Sequence, residues 1–508
     1  MAYSTIFLIT ITAFLVLQGI SRAQAFLARQ KAIRNLGCKQ PPSLPQRDPF
    51  FGLDLVLQLF RTLKENRRNM SMKEQFEVYG HTFQSKPFGT TMVFTIEPRN
   101  LQAVFATDFA NWGVQPMRLY GFEPFVGKGI MCSDGAFWEH SRAMIKPTFA
   151  KTQIADLHLR AYAIHVHKLL HLIPRDGSTV DLQPLFAQLA LDSSTEFLFG
   201  ESVGTLEPST VSLDAKSFLE AYNYGQTAVG RRLQLPKWNF LTEDKKFSAS
   251  CKIAHSFVDA YIAKALRYFD ETQADIKRPE RYVLAHELLK KTKNRDDVRN
   301  QLLNVFLPAH DATGVALTNV FFNLARNPHV YAKLRQEISE MGDRETKWTF
   351  ERLKSLRYLQ YVINESFRLN PPIGTNTRMA LRDTCLPTGG GPSGYGTSSI
   401  YVRKGDIISF SFYALHRRQD LFGNDANVFR PERWENLRPG HWSYLPFGGG
   451  PRVCPGQQLA LTEVGYTVVK ILQTFQKIEN RDPVLEFVED YKITTDSRNG
   501  AKVGLIPT

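Results

Sequence analysis

The sequence predicts a mainly α fold with a smaller β portion, and three observations carry that expectation. Apolar residues recur at helical spacing through much of the chain, most conspicuously over residues 296–325. Strand-like runs are few and short. No internal repeat or long linker divides the chain after residue 50, and 508 residues, 43% of them hydrophobic, can bury a large core. One catalytic domain over residues 50–508 is therefore expected.

At the N-terminus, residues 3–20 (YSTIFLITITAFLVLQGI) carry no charge and are followed by Arg22, Arg29, Lys31 and Arg34. About 18–20 helical residues just cross a hydrocarbon core, and basic flanks stay on the cytoplasmic side. Residues 1–21 thus read as a retained single-pass transmembrane anchor helix. A cleaved signal peptide is the rival; no basic stretch precedes the apolar run, and no small-x-small cleavage site stands near Ile20. Residues 22–49 read as a basic and proline-rich neck, stiffened by the prolines of QPPSLPQRDP (40–49).

Lys plus Arg outnumber Asp plus Glu by 63 to 49, a formal charge of +14. No recognition motif or basic low-complexity tail accompanies that charge, so no nucleic acid partner is expected. Anionic lipid or an acidic protein partner accounts for it better. The cysteines at 38, 132, 251, 385 and 454 are scattered, without CxxC or Cys/His spacing. That supports neither a zinc site nor a disulfide framework and points to a reducing compartment.

TTMVFTI (90–96) and SIYVRKGDIISFSF (399–412) have the β-branched and aromatic character of strands, the second interrupted at Lys404-Gly405-Asp406. The Gly-rich TGGGPSGYGTSS (388–399) lacks the Gly-Lys-Ser/Thr ending of a phosphate loop and no helix follows it, so it reads as a flexible hairpin loop. The long run 296–325 opens on Asp296 and Asp297 and stops before Asn327-Pro328, as a helix should. Pro308 and Gly314 flank His310-Asp311-Ala312-Thr313 at its centre. A breaker and polar residues inside a buried helix conflict locally, and such conflicts concentrate at functional sites. A plain kinked core helix is the alternative.

The chemistry centres on FGGGPRVCPG (447–456), where glycines and prolines rule out regular structure before Cys454. Thiolate is the ligand form of cysteine, and a glycine loop that turns backbone N–H groups toward sulfur can hold haem iron by an axial thiolate. Alone, such a cysteine could equally be structural or a nucleophile. Phe447-x-x-Gly450-x-Arg452-x-Cys454-x-Gly456, however, resembles the haem-binding signature of the cytochrome P450 superfamily at every fixed position.

Further segments are similar to that family's other motifs. Glu365-Ser-Phe-Arg368 resembles its Glu-x-x-Arg helix, and Phe429-Arg-Pro431-Glu-Arg433-Trp434 resembles the motif whose arginine completes a structural cluster, here Glu365, Arg368 and Arg433. Trp138-Glu-His-Ser-Arg142 resembles the Trp-x-x-x-Arg pattern that faces the haem propionates, with Arg452 and Arg378 meeting the other propionate oxygens. Counting back from Leu324–Pro328, the family's Ala-Gly-x-Asp-Thr-Thr falls on Pro308–Thr313. The acid survives as Asp311, Ala312 replaces the first threonine, and a hydroxyl remains at Thr313. One residue turns a helix side chain by about 100°, so Thr313 replaces the missing hydroxyl only with a local backbone change. A substrate hydroxyl or ordered water is the other route for protons.

The resemblance implies a cytochrome P450 fold holding haem b (iron protoporphyrin IX with an axial thiolate) on Cys454, with Asp311 and Thr313 as catalytic candidates. It further implies NADPH-cytochrome P450 reductase as partner, a site in the endoplasmic reticulum membrane facing the cytosol, and insertion of one oxygen atom from O2 into a lipophilic substrate. LPQRDPFFGLDL (44–55), GKGIMCSDGAFWEHSRAMIKPTFAK (127–151) and HRRQDLFGNDANVFRPERW (416–434) are similar to a fungal branch that oxidises n-alkanes and fatty acids and has relatives in secondary metabolism. The altered motif favours a tailoring hydroxylation of a terpenoid or polyketide skeleton over terminal hydroxylation of alkanes or fatty acids. A reductase-independent isomerase or dehydratase is the alternative of another class. Pocket residues are expected from Trp112 to Phe125 and from Pro372 to Thr377.

Overall fold

The computed structural model describes residues 16, 18, 20, 23, 24, 26–48, 51–150, 158–207, 209, 211–234, 244–272 and 283–508. Residues 1–15 of the expected anchor lie outside the described residues, and among those described no helix is long and apolar enough to cross a membrane. Part of the proline-rich segment lies along the body of the protein. Gln84 N–H donates to Pro42 O at 2.8 Å, Leu44 N–H donates to Gln84 O at 2.8 Å, and Lys39 N–H donates to Ser399 O at 2.9 Å.

Helices dominate. Those that build the site are α1 (Gln115–Val126), α2 (Gly135–Ile145), α3 (Leu182–Phe199), α4 (Leu213–Gln234), α5 (Arg295–Arg326), α6 (Arg357–Leu369) and α7 (Gln457–Thr474). The strands are β1 (Thr82–Ser85), β2 (Met92–Thr95), β3 (Trp112–Gly113), β4 (Thr179–Asp181), β5 (Thr375–Ala380), β6 (Thr384–Gly390), β7 (Ser398–Val402), β8 (Ile407–Ser411), β9 (Phe475–Asn480), β10 (Glu489–Tyr491), β11 (Thr495–Ser497) and β12 (Lys502–Pro507). A five-stranded sheet runs β1-β2-β8-β5-β3; only its β2–β8 pair is parallel.

The run 399–412 does split at its Lys-Gly-Asp turn, but the halves pair elsewhere. β7 joins β6, and β8 lies between β2 and β5. The Gly-rich stretch closes the β6–β7 hairpin, with Gly390 opposite Ser398. Glycine is required at 394, where φ is 69° and a Cβ would fall 2.0 Å from Tyr79 O.

α5 is the axis of the molecule. Its cap is Asn294, whose side chain accepts from Asp296 N–H and Asp297 N–H at 3.0 and 3.2 Å. Leu302, Leu303, Phe306 and Leu307 pack into one apolar cluster with Phe218 and Tyr222 of α4. Leu317, Val320, Phe321 and Leu324 pack into another with Val464, Val468 and Leu472 of α7. As the long apolar run predicts, α5 is one helix, and it continues without interruption through Pro308 and Gly314. Gly314 is explained by packing: a Cβ there would lie 3.2 Å from Phe186 O and 3.3 Å from Ala187 Cα, where α3 crosses. Residues 308–312 are partly or fully accessible between the two buried runs, so mid-helix α5 borders an opening instead of packed protein.

Candidate active site

Cys454 sits just before α7, in a loop shaped by backbone. Its N–H donates to Phe447 O at 3.0 Å, and Val453 N–H donates to Gly450 O at 3.0 Å. Gly450 has φ 65°, and a Cβ there would stand 1.8 Å from Phe105 O, so only glycine fits. Gly456 leaves the sulfur uncovered: a Cβ there would lie 3.9 Å from Cys454 Sγ. The Cys454 side chain is accessible although the loop is deeply set. Burial pushes its thiol up, opposed by the Gly456 N–H and the charge of Arg142. Arg142 also ties the loop to α2, donating from Nη2 to Val453 O at 3.0 Å.

Behind the loop lies the Glu365 cluster. Arg368 is bidentate on Glu365, with Nε to Oε2 and Nη2 to Oε1 both at 2.9 Å. Arg433 Nε adds a 2.8 Å bond to Oε1. Trp434 Nε1 donates to Oε2 at 3.0 Å, and Arg430 N–H donates to Oε1 at 2.9 Å. Arg368 Nη1 donates to His416 O at 2.8 Å, and His416 Nε2 accepts from Leu445 N–H at 2.9 Å. Gly448 N–H in turn donates to Leu445 O at 3.1 Å, which links the cluster to the cysteine loop. Burial holds His416 down to about 3, so it stays neutral as that acceptor.

Arginines gather on the other flank. Arg452 lies 4.4 Å from the centroid of the Trp138 ring and donates from Nη2 to Asp134 Oδ1 at 2.7 Å. Asp134 stands at the N-cap position of α2, but its carboxylate accepts from Val114 and Gln115 N–H instead of capping α2, which fixes the start of α1. Arg378 on β5 and Arg118 on α1 share Asn376 Oδ1, each at 2.8 Å. Burial pushes Arg378 well below its ordinary value, and the charges of Arg118 and Arg452 push it further. Burial likewise brings Arg452 down to about 10, with Asp134 opposing and Arg118 and Arg142 adding to the fall. Nε of both Arg378 and Arg452 is buried without a partner.

Guanidinium stays protonated in proteins, so this cluster holds more positive charge than Asp134 balances. Two carboxylates would complete it, and the propionates of haem b supply two. Among the described residues no group of three His, Cys, Asp or Glu side chains could hold a bare metal ion. A single accessible cysteine opposite surplus arginines therefore fits a macrocycle that brings its own equatorial ligands. Arg378→Gln should weaken haem retention by roughly ten- to a hundredfold, the worth of a charge-assisted hydrogen bond. The haem-free chain should melt no lower, because repulsion within the cluster is relieved. Haem transfer to a scavenger protein and thermal melts of the haem-free chain read the two effects separately.

On α5, Thr313 Oγ1 donates to Glu463 Oε2 at 3.2 Å, and Glu463 Oε1 is 2.9 Å from His158 Nε2. Asp311 Oδ2 instead accepts from Thr494 Oγ1 at 2.5 Å. Two residues along a helix turn a side chain by about 200°, so these two groups face different neighbours. The structure does not bring them together, and no shifted turn carries Thr313 to the place of Ala312. Trp138, Arg142, Arg378, Arg452, Phe447, Gly450, Gly456 and Cys454 do fall in one region. Arg118, which the sequence placed only within the expected pocket range, and Trp434, which it quoted only as part of a motif, belong with these sites, as do Asp134 and Thr494, to which it gave no role. Asp134 left a local signal, a residue type favoured before a helix start, but its side chain makes other bonds.

The family model of cytochrome P450 matches residues 42–499. The cytochrome P450 monooxygenase himC of Aspergillus japonicus is 38% identical over 499 residues, covering 97% of this chain and 88% of its own. Cytochrome P450 52A12 of Debaryomyces hansenii is 38% identical over 474 residues, covering 90% of each chain. Cytochrome P450 52A5 of Candida maltosa is 39% identical over 466 residues, covering 88% of this chain and 87% of its own.

Proposed function

The chain belongs to the cytochrome P450 family, whose members use haem b on an axial cysteine thiolate, and from that membership we propose a reductase-dependent monooxygenase that hydroxylates a lipophilic substrate. The reading includes a single-pass anchor in the endoplasmic reticulum membrane, catalysis on the cytosolic side, and a tailoring step on a terpenoid or polyketide skeleton in fungal secondary metabolism. The observation that carries the enzymatic reading is Cys454: an accessible sulfur in a glycine loop, with Arg142 and the Gly456 N–H placed to favour its anion.

Each residue then has a task. Cys454 would ligate the iron, and Arg118, Arg378 and Arg452 would hold the propionates. Trp138 supports Arg452 through its ring face. The Glu365, Arg368 and Arg433 cluster fixes the cysteine loop from behind. The accessible stretch 308–312 borders the opening at mid-α5, and Asp311 is the acid available there to pass on a proton. Bound haem supplies the activation of dioxygen and the transfer of one oxygen atom. The protein supplies the ligand, the orientation and the exclusion of water.

The tailoring reading rests on position 312: an alanine stands where the motif carries a threonine, and Thr313 is committed to Glu463. Terminal hydroxylation of n-alkanes or fatty acids is the second reading, favoured by segments 44–55, 127–151 and 416–434. Turnover of a chain-length series of alkanes and fatty acids, in membranes supplied with reductase and NADPH, separates them. The tailoring reading expects little or no linear-chain product from a fully haem-loaded enzyme. Terminal hydroxylation at useful rates would overturn it. An enzyme that converts oxygenated substrates without NADPH would instead be an isomerase or dehydratase.

A further inference from the structure

Asp311 has no alcohol beside it at position 312, yet a hydroxyl reaches it from a different element. Thr494 Oγ1 donates to Asp311 Oδ2 at 2.5 Å, across 183 residues of sequence. Thr494 is only 4% exposed and lies in the tight turn between β10 and β11, which Lys492 N–H closes by donating to Thr494 O at 2.8 Å. That hairpin is held on several sides. Thr495 N–H donates to Pro372 O at 2.8 Å, and the Tyr491 and Thr375 hydroxyls are 2.7 Å apart. Asn69 N–H donates to Glu489 Oε1 at 2.7 Å, and Asn69 Nδ2 donates to Thr495 Oγ1 at 3.2 Å. The hydroxyl is thus delivered to Asp311 by a fixed backbone.

The same hairpin carries a graded set of ionisable groups. Asp490 and Asp496 are direct cross-strand partners, so their side chains share one face. At the outer end Lys492 pairs with Asp490 at 2.8 Å, and both are substantially accessible. Further in, half-buried Asp496 accepts from Gln183 Nε2 and from Ser497 N–H. Burial pushes its carboxyl up to about 6; the Gln183 bond opposes this, the negative charge of Asp311 adds to it, and Lys492 opposes it. A carboxyl in that range takes up and releases protons near neutrality. Burial lowers Lys492, but Asp490, Asp496 and Asp311 together hold it above its ordinary value. The His310 and Tyr222 rings meet edge to face at 5.3 Å, near enough to Asp311 to feel its charge. Burial lowers His310 and raises Tyr222, so both are neutral at pH 7.

We propose that Thr494 is a positioning residue for Asp311, supplying from the β10–β11 hairpin the hydroxyl that position 312 lacks. The inference rests on the monooxygenase reading for its consequence, though not for its geometry. Only protons move in this step: one leaves Asp311 for the site, and one from solvent water replaces it.

The test uses the full haem-loaded chain with Thr494→Val, which keeps the shape and removes the hydroxyl, and Thr494→Ser, which restores it; Thr494→Ala replaces the valine variant if that one fails to fold. The carbon monoxide spectrum of the reduced protein establishes intact thiolate ligation in each. The infrared carboxylate band that disappears in Asp311→Asn should shift in Thr494→Val and return in Thr494→Ser. With reductase and NADPH but no added substrate, the ratio of hydrogen peroxide to water formed should rise roughly tenfold in Thr494→Val, as expected for one lost charge-assisted hydrogen bond, and fall back in Thr494→Ser. An unchanged band and an unchanged ratio in Thr494→Val, or no rescue by serine, overturns the proposal. If the wild-type chain consumes no NADPH with reductase, the monooxygenase reading fails, while the infrared comparison still decides the role of Thr494.

Discussion

Cys454→Ser should yield a folded chain without a thiolate-type carbon monoxide spectrum and with turnover reduced by at least about 10³-fold, because the charge that activates the iron is gone. The loop does not depend on sulfur for its shape. It is closed by Cys454 N–H to Phe447 O and Val453 N–H to Gly450 O, and it is kept open by glycines at 450 and 456. Serine fits that backbone, so the substitution changes the ligand and little else. A serine hydroxyl is a far weaker acid than a thiol; burial pushes the Cys454 thiol up, but the Gly456 N–H and Arg142 oppose that rise. The arginines at 118, 378 and 452 are untouched, so haem content should fall less than activity does. A thiolate-type band in Cys454→Ser would overturn the axial assignment, and total loss of haem would show that the propionate contacts alone do not retain it.

The parts of this site that were legible in the sequence are those whose physical requirement is local. Gly450 needs a left-handed φ, and Trp138 and Arg142 share a face because they are four residues apart on α2. The strand character of 399–412 was equally local, but its pairing was not: β7 and β8 join different sheets, which depends on where β2, β5 and β6 lie. Arg118 escaped for the same reason. Nothing in the composition of α1 marks it, and only the convergence of α1 with β5 on Asn376 gives it a role. At Gly314 the reason for the residue is tertiary. A glycine in a helix interior normally signals a breaker, whereas here it permits α3 to cross closely, and the tertiary contact outweighs the propensity. Thr494 lies so far along the chain from Asp311 that no local spacing rule could have paired them.

Glu365→Gln should destabilise the fold by about 3–5 kcal/mol, the usual cost of removing one partner from a buried ion pair. Glu365 and Arg368 have no accessible surface, and Arg433 has almost none. Two carboxylate oxygens accept five donors here: Arg368 Nε and Nη2, Arg433 Nε, Trp434 Nε1 and Arg430 N–H. A glutamine offers one oxygen and turns an NH2 group toward donors that cannot accept from it. Arg433 keeps Asp425 at 2.9 Å, but Arg368 keeps only neutral backbone carbonyls, so its charge is left buried without an anion. A loss of that size is a large fraction of the stability of a typical domain. It should reach the cysteine loop as well, because the bonds through His416 and Leu445 that steady Gly448 begin at Arg368. The expected result is a lower urea midpoint together with a poorer yield of haem-loaded protein. Glu65→Gln, which breaks an exposed i,i+4 pair with Arg61, should leave both near wild type. Equal effects from the two substitutions would mean that the buried cluster contributes no more than a surface pair, and its role in holding the cysteine loop would have to be given up.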